Sequence, residues 1–188
     1  ITIDDIDVTA LKDFERSRWI SRIFQNPLMG TSPELSILEN FRLASLRKKT
    51  KSLTIGTGKG FRNTISQLIS TLNLGLENKL DQPMGTLSGG QRQALSLLMA
   101  VMDEPKILLM DEPTAALDPR TAALIMELSD QVIREHRLTA ILVTHQLRDA
   151  MRFGDRVILL NEGKVQEDLY GERRKSLSTS DLLHWFGV

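Results

Sequence analysis

The chain has 188 residues, enough for one domain or a core carrying a subdomain. Lysine plus arginine and aspartate plus glutamate each number 24, so no global charge draws the chain to nucleic acid or to an anionic membrane. There is no cysteine, which excludes disulfides and thiolate metal sites and fits a reducing compartment, and no apolar run approaches the ~18 residues of a membrane span.

Residues 1–9, "ITIDDIDVT", alternate apolar and polar and predict one half-buried strand. "WISRIFQNP" (19–27) predicts a second strand ending at Gln25, before Pro27 and "MGTSP" break the chain. Leu35, Ile37, Leu38, Phe41 and Leu46 recur at helical spacing over 34–47. "KKTKSLTIGTGKG" (48–60) is a polar loop, and Ile65, Leu68, Ile69 and Leu72 mark another helix over 61–74. Residues 34–80 therefore form a helical insert. Between Glu39 and Glu77 there is no acidic residue, whereas Arg42, Arg47, Lys48, Lys49, Lys51, Lys59 and Arg62 fall there. A solvated loop and a basic face for lipid headgroups or an acidic partner both stay open for it.

The second half differs. "KILLM" (106–110) and "TAILVT" (139–144) are short apolar runs typical of strands buried on both faces. Between them, 118–136 opens with an Asp N-cap and a Pro at the first helical position, with Leu124, Ile125, Leu128, Val132 and Ile133 on one face. Strand, long helix, strand is the crossover unit of a parallel sheet. "RVILLNEGKV" (156–165) reads as a hairpin turning at Glu162–Gly163. A polar tail follows from 166, with a short amphipathic end at 181–186.

In an open parallel sheet, ligands bind beyond the carboxyl ends of the strands. Asp111 and Glu112 stand there in "ILLMDEP" (107–113). Asp is a hard oxygen ligand suited to Mg²⁺ through water, and an adjacent Glu can orient or deprotonate a water attacking phosphorus. Gln25 ends the earlier strand, and its amide can ligate a metal or hold a water. His145, in "VTHQ", ends the neighbouring strand, where an imidazole can hydrogen-bond a γ-phosphate. His136 and His184 have no such context and read as surface residues. In "TLSGGQRQ" (86–93), Ser88 and Gln91 have the spacing of a capping box, which leaves Gly89 and Gly90 unexplained. A helix N-terminus with free N–H groups and no side chains in the way accepts an anion, so the glycines are read as access for a phosphate.

Gln25, "LSGGQ", "ILLMDEP", "AALD" and "VTH", in this order, resemble the ATP-binding subunit of bacterial ABC transporters over nearly the whole chain. The resemblance implies an α/β P-loop NTPase fold: a parallel core sheet with an inserted helical subdomain. Residues 1–26 would end the N-terminal β part and 27–86 form the helical subdomain. Residues 87–165 would carry the signature, Walker B, D-loop and H-loop on a RecA-like core, and 166–188 a C-terminal tail. It implies that Gln25 is the Q-loop residue linking Mg²⁺ and water to the membrane partner, that Asp111 holds Mg²⁺ through water, and that Glu112 is the general base. Asp118 falls on the D-loop, where Ser more commonly precedes the Ala of "AALD", and His145 on the switch histidine.

The family's P-loop, which precedes the Q-loop by several tens of residues, has no counterpart here. "GTGKG" (56–60) does not serve, because Gly60 falls where Ser or Thr is needed and Leu53 where the first Gly is needed. With Ile1 in place of Met, the expectation is a chain that continues upstream. In such dimers two subunits pack head to tail, so Ser88, Gly89, Gly90 and Gln91 would grip ATP bound by the other subunit.

More narrowly, "FQNPLMGTSPELSILENFRLA" and "LNLGLENKL" resemble ATPases of amino-acid-type uptake systems whose binding proteins are tryptophan/tyrosine-like. The implied partners are a second ATPase subunit, a transmembrane permease and, indirectly, an extracytoplasmic substrate-binding protein, with no nucleic acid. The implied place is the cytoplasmic face of the membrane. The alternative is a soluble ABC ATPase of the translation or DNA-repair type. One signature and no coiled-coil heptads argue against it. A catalytically dead regulatory module finds no support, since Asp111, Glu112 and His145 are all present.

Overall fold

The structure, a computed structural model, describes residues 1–47, 56–178, 180–181 and 185. Lys48, Lys49 and Lys51 of the basic stretch, Leu53, and His184 with most of the amphipathic end lie outside the described residues. The chain forms two compact units, Ile1–Val143 and Thr144–Val188.

The first unit opens with a hairpin rather than the single strand that the alternation predicts. Strands β1 (Thr2–Ile3) and β2 (Ile6–Asp7) pair antiparallel, with Thr2 opposite Asp7 and Ile3 opposite Ile6. The turn is made by Asp4 and Asp5, both at positive φ (47° and 64°). Asp is among the few non-glycine residues that enter the left-handed region at low cost, and two such residues in succession make the hairpin turn. A short helix α1 (Asp13–Arg16) leads to β3 (Ile20–Ile23).

Among the described residues, three α-helices lie between β3 and β4 (Ile107–Asp111): α2 (Ile37–Ala44), α3 (Lys59–Ser70) and α4 (Gly89–Val101). Helix α2 starts at a capping box in which Ser36 accepts from the Glu39 N–H. These helices enclose one apolar cluster, including Ile37, Phe41, Ile65, Ile69, Leu95 and Leu98, closed by Ile125 of α5 (Pro119–Glu135). Asp118 caps α5 and Pro119 starts it, as the sequence predicts. His136, at its end, is exposed as expected.

The core sheet is parallel, in the order β3–β4–β5, with β5 at Thr139–Val143. Ile23 lies opposite Met110, and Asp111 opposite Val143. One face buries Ile23, Leu108 and Met110 against Leu97, Ala100 and Val101 of α4 and Val132 of α5. Burial on both faces, the expectation for both apolar runs, is not what the structure shows. Burial alternates along β4, and on β5 Ile141 and Val143 are 52% and 54% exposed. The physical reason is that α4 and α5 cover the same face. The opposite face carries Arg22, Leu109, Asp111, Ile141 and Val143 in register.

The second unit contains α6 (Leu147–Arg152), the hairpin β6 (Arg156–Asn161) with β7 (Lys164–Tyr170), and α7 (Gly171–Lys175). The turn falls at Glu162–Gly163, where both residues have positive φ, as the sequence predicts. The predicted polar tail is in part this structure. Arg156 of β6 forks onto Asp168 of β7 at 2.7 and 2.6 Å, and buried Leu169 packs with Leu177. Charged outward faces made the second strand read as tail.

Candidate nucleotide site

The parallel register places two sequence-distant residues together. β3 and β4 end side by side, and two residues beyond Ile23 and Met110 stand Gln25 and Glu112. The Gln25 Nε2 donates to Glu112 Oε2 at 3.4 Å, across 87 residues of sequence. Glu112 itself is left-handed (φ 43°), while its N–H donates to Val143 O at 2.9 Å. A non-glycine residue in that region is strained by about 1–3 kcal/mol, and such strain clusters at functional sites. Here it turns the chain sharply at the sheet edge, directly after Asp111.

Asp111, on the open face, accepts from Arg22 Nη2 at 2.6 Å. Arg22 reaches it from β3 and lies 4.8 Å over the Phe24 ring. The sequence reasoning missed Arg22. The signal was available, since a charged residue sits at alternate spacing within the apolar run "WISRIF". Asp111 and the Gln25 amide oxygen are hard donors, and Mg²⁺ takes one or two protein oxygens and fills the rest with water and phosphate, so the donor set fits that ion. Among the described residues, no group of three or more His, Asp or Glu side chains is placed to hold a metal.

Ser88 and Gln91 form the capping box that their spacing predicts. The Gln91 N–H donates to Ser88 Oγ at 3.2 Å, and the Ser88 N–H to Gln91 Oε1 at 3.1 Å. Both residues sit at the N-terminus of α4, with Ser88 and Gly89 exposed and Gly90 buried. For Gly90, packing within the chain supplies a second reason beside the expected phosphate access. A Cβ added there would overlap Thr121 Cγ2 of α5, so helix packing within the chain demands this glycine. Asp118 is exposed and caps α5, accepting from the N–H groups of Arg120 and Thr121 at 3.1 Å each. Hydrogen bonds from Thr121, first its side chain and then its N–H, hold the Asp118 carboxyl below the usual carboxylate range.

One buried side chain that sequence reasoning missed ties these parts together. Gln93 of α4 is 1% exposed, and its Nε2 donates to Phe24 O at 3.2 Å and to Pro113 O at 2.8 Å. Phe24 precedes Gln25, and Pro113 follows Glu112. Its signal lay in the helical period, because Gly90, Gln93 and Leu97 share one face. His145 is exposed and belongs to the second unit, two residues past β5. Among the described residues no helix is long and apolar enough to cross a membrane.

The family model described as "ABC transporter" matches residues 1–115. The chain is 39% identical over 189 residues to a tyrosine transport ATP-binding protein of Clostridioides difficile (strain R20291), covering 99% of this chain and 74% of that protein. It is 37% identical to an aliphatic sulfonates import ATP-binding protein of Burkholderia ambifaria, across 74% of this chain but only 43% of that one. Among solved structures, the dimeric post-hydrolysis state of the ATP-binding cassette MJ0796 bound to ADP and Pi superposes with a TM-score of 0.72 at 31% identity, covering 90% of this chain and 72% of that one. The fold is that of an ABC ATPase cassette, mixed α/β with a parallel sheet. The chain belongs to the ABC transporter family, as an ATP-binding domain.

Proposed function

We propose that the full-length protein is the ATP-binding and ATP-hydrolysing subunit of an importer, driving uptake of an amino-acid-type solute through a membrane permease. The observation that carries this is the meeting of Gln25 and Glu112 beside Asp111 at the carboxyl edge of the parallel sheet. The importer relatives support the transport role, and the tyrosine transport protein supports the solute class.

Glu112 acts as general base toward the water attacking the γ-phosphate, and Gln25 holds that water and the carboxylate in register. Asp111, through water, and the Gln25 amide oxygen would hold Mg²⁺, which when bound would supply positive charge against the charge developing on the phosphate. His145 contacts the γ-phosphate. Ser88, Gly89, Gly90 and Gln91 with Asp118 form the edge facing the nucleotide of a second subunit, with Gly90 reached through its backbone alone. Residues 27–86 form the helical subdomain that docks the permease, whose binding protein takes the solute outside. The subunit works at the cytoplasmic face of the membrane. The dimeric cassettes among the structural relatives support the paired arrangement.

The test is Glu112→Gln in the full-length protein, reconstituted with its permease. A glutamine keeps the shape but takes no proton, so hydrolysis falls by about a hundredfold or more while ATP-driven dimers accumulate. Turnover near the parent value removes Glu112 from the role.

A further inference from the structure

Helices α4 and α5 approach each other closely where both begin. A Cβ on Gly89 would stand 3.2 Å from Leu117 Cδ2. A Cβ on Gly90 would fall on Thr121 Cγ2, with Thr121 Cβ at 3.5 Å and Oγ1 at 3.8 Å beyond it. Carbon atoms normally rest about 3.5–4.0 Å apart, so the Thr121 methyl occupies the volume that any side chain at position 90 requires. The backbone N–H of Thr121 serves a different partner: it donates at 3.1 Å to the Asp118 carboxylate that caps α5. One residue therefore meets Gly90 through its methyl and holds Asp118 through its backbone N–H. Both helices are fixed in the core behind this contact, α4 by Ala94, Leu95 and Leu98, and α5 by Ile125.

We propose that Thr121 is a positioning residue, which locks the start of the signature helix and the turn ending at Asp118 into one rigid edge presented to the second subunit. Backbone N–H groups at a helix start act on a phosphate only when their distance and direction are fixed beforehand. The Gly90 contact sets that direction for α4, and the Asp118 cap sets the neighbouring turn against it. This role rests on the proposed function, in which that edge meets ATP held by another subunit. The packing itself does not.

The experiment separates the two. Gly90→Ala in the full-length protein forces the helix starts apart. Its unfolding midpoint falls, and in a Glu112→Gln background ATP-driven dimerisation weakens by about tenfold. Thr121→Ser removes Cγ2 and retains the hydroxyl, leaving 3.5 Å as the nearest approach to the new methyl. The double variant Gly90→Ala, Thr121→Ser regains both the unfolding midpoint and dimerisation. A double variant no better than Gly90→Ala overturns the packing assignment. If Gly90→Ala gives no soluble protein, return of soluble protein in the double variant is the same positive result.

Stability rescue in a protein whose parent form never dimerises with ATP would uphold the packing and reject the functional reading beneath it.

Discussion

Replacing Gln93 by Leu tests whether one buried amide holds the site together. The substitution puts an apolar side chain, one atom shorter, in place of the amide and removes both hydrogen bonds that Nε2 donates. Pro113 O, buried and bonded at 2.8 Å, loses its partner outright, which costs about 2 kcal/mol. Phe24 O is part-buried and bonded at 3.2 Å, so water recovers some of its hydrogen bonding and the loss is about 1 kcal/mol. Gln93 Oε1 is itself buried without a partner, so removing it returns about 1 kcal/mol, and the net loss of about 2 kcal/mol is still a large fraction of the roughly 5–15 kcal/mol that stabilises a domain. For a domain of this size it lowers the melting temperature by about 4–8 °C.

The same two carbonyls adjoin Gln25 and Glu112, so the effect reaches the chemistry as well. A shift of about 1 Å in a reacting group costs on the order of a hundredfold in rate. Urea unfolding and steady-state ATP hydrolysis of the full-length protein measure the two effects separately. Gln91→Leu, two positions earlier and in the partly exposed cap, serves as the control for the unfolding measurement alone and loses about 1 kcal/mol or less. A Gln93→Leu protein within about 1 kcal/mol of its parent, with hydrolysis intact, refutes the bracket.

Two further substitutions separate stability from function. Ser88→Asp retains an N-cap acceptor at the start of α4, so stability stays within about 0.5 kcal/mol of the parent. The added charge opposes a phosphate on the partner subunit, and like-charge contact of that kind weakens ATP-driven dimerisation by a hundredfold or so. Undiminished dimerisation seen by light scattering rejects Ser88 as a phosphate contact. Asp149, 8% exposed in α6, has its pKa raised by burial, with Arg148 and Arg152 acting in the opposite direction. Its folded pKa exceeds the unfolded one, so its contribution is favourable below the unfolded value and is lost as pH rises through the folded value. At neutral pH the ionised carboxylate opposes folding. Asp149→Asn therefore raises the melting temperature at pH 7 and flattens the pH dependence just above the ordinary carboxylate range. A lower melting temperature at pH 7 contradicts the burial argument.

Much of the frame was legible because local rules and global packing agree. The periodicity of α2, α3 and α5, the Asp118–Pro119 helix start and the Glu162–Gly163 turn all follow from residue spacing or from backbone preferences that need no tertiary partner. The meeting of Gln25 with Glu112 follows from parallel strand ends. Failures arose where one residue type satisfies two physical demands. A strand of alternating polarity and a hairpin with Asp4 and Asp5 at its tip have the same pattern, and only the backbone angles distinguish them. An apolar run such as "TAILV" is compatible with cover on one face or both, because the residues record hydrophobicity and not which helices arrive.

Gly90 is the sharpest instance of that ambiguity. A glycine at a helix start admits a phosphate, and it also admits the methyl of a neighbouring helix. Sequence spacing favoured the phosphate because the capping box left the glycines unexplained. Packing against Thr121 explains Gly90 from within the chain and leaves exposed Gly89 for the approach of an outside group. The two glycines thus divide the work. Gly90 lets α4 lie close enough to α5 to share an edge with Asp118, and Gly89 keeps that edge open. A larger side chain at position 90 is opposed by Thr121 Cγ2 with or without nucleotide, whereas one at position 89 meets Leu117 Cδ2 at 3.2 Å, a contact that a small shift of a flexible side chain relieves. On this geometry, Gly89→Ala costs little in stability and acts chiefly on nucleotide-driven dimerisation, whereas Gly90→Ala acts on both.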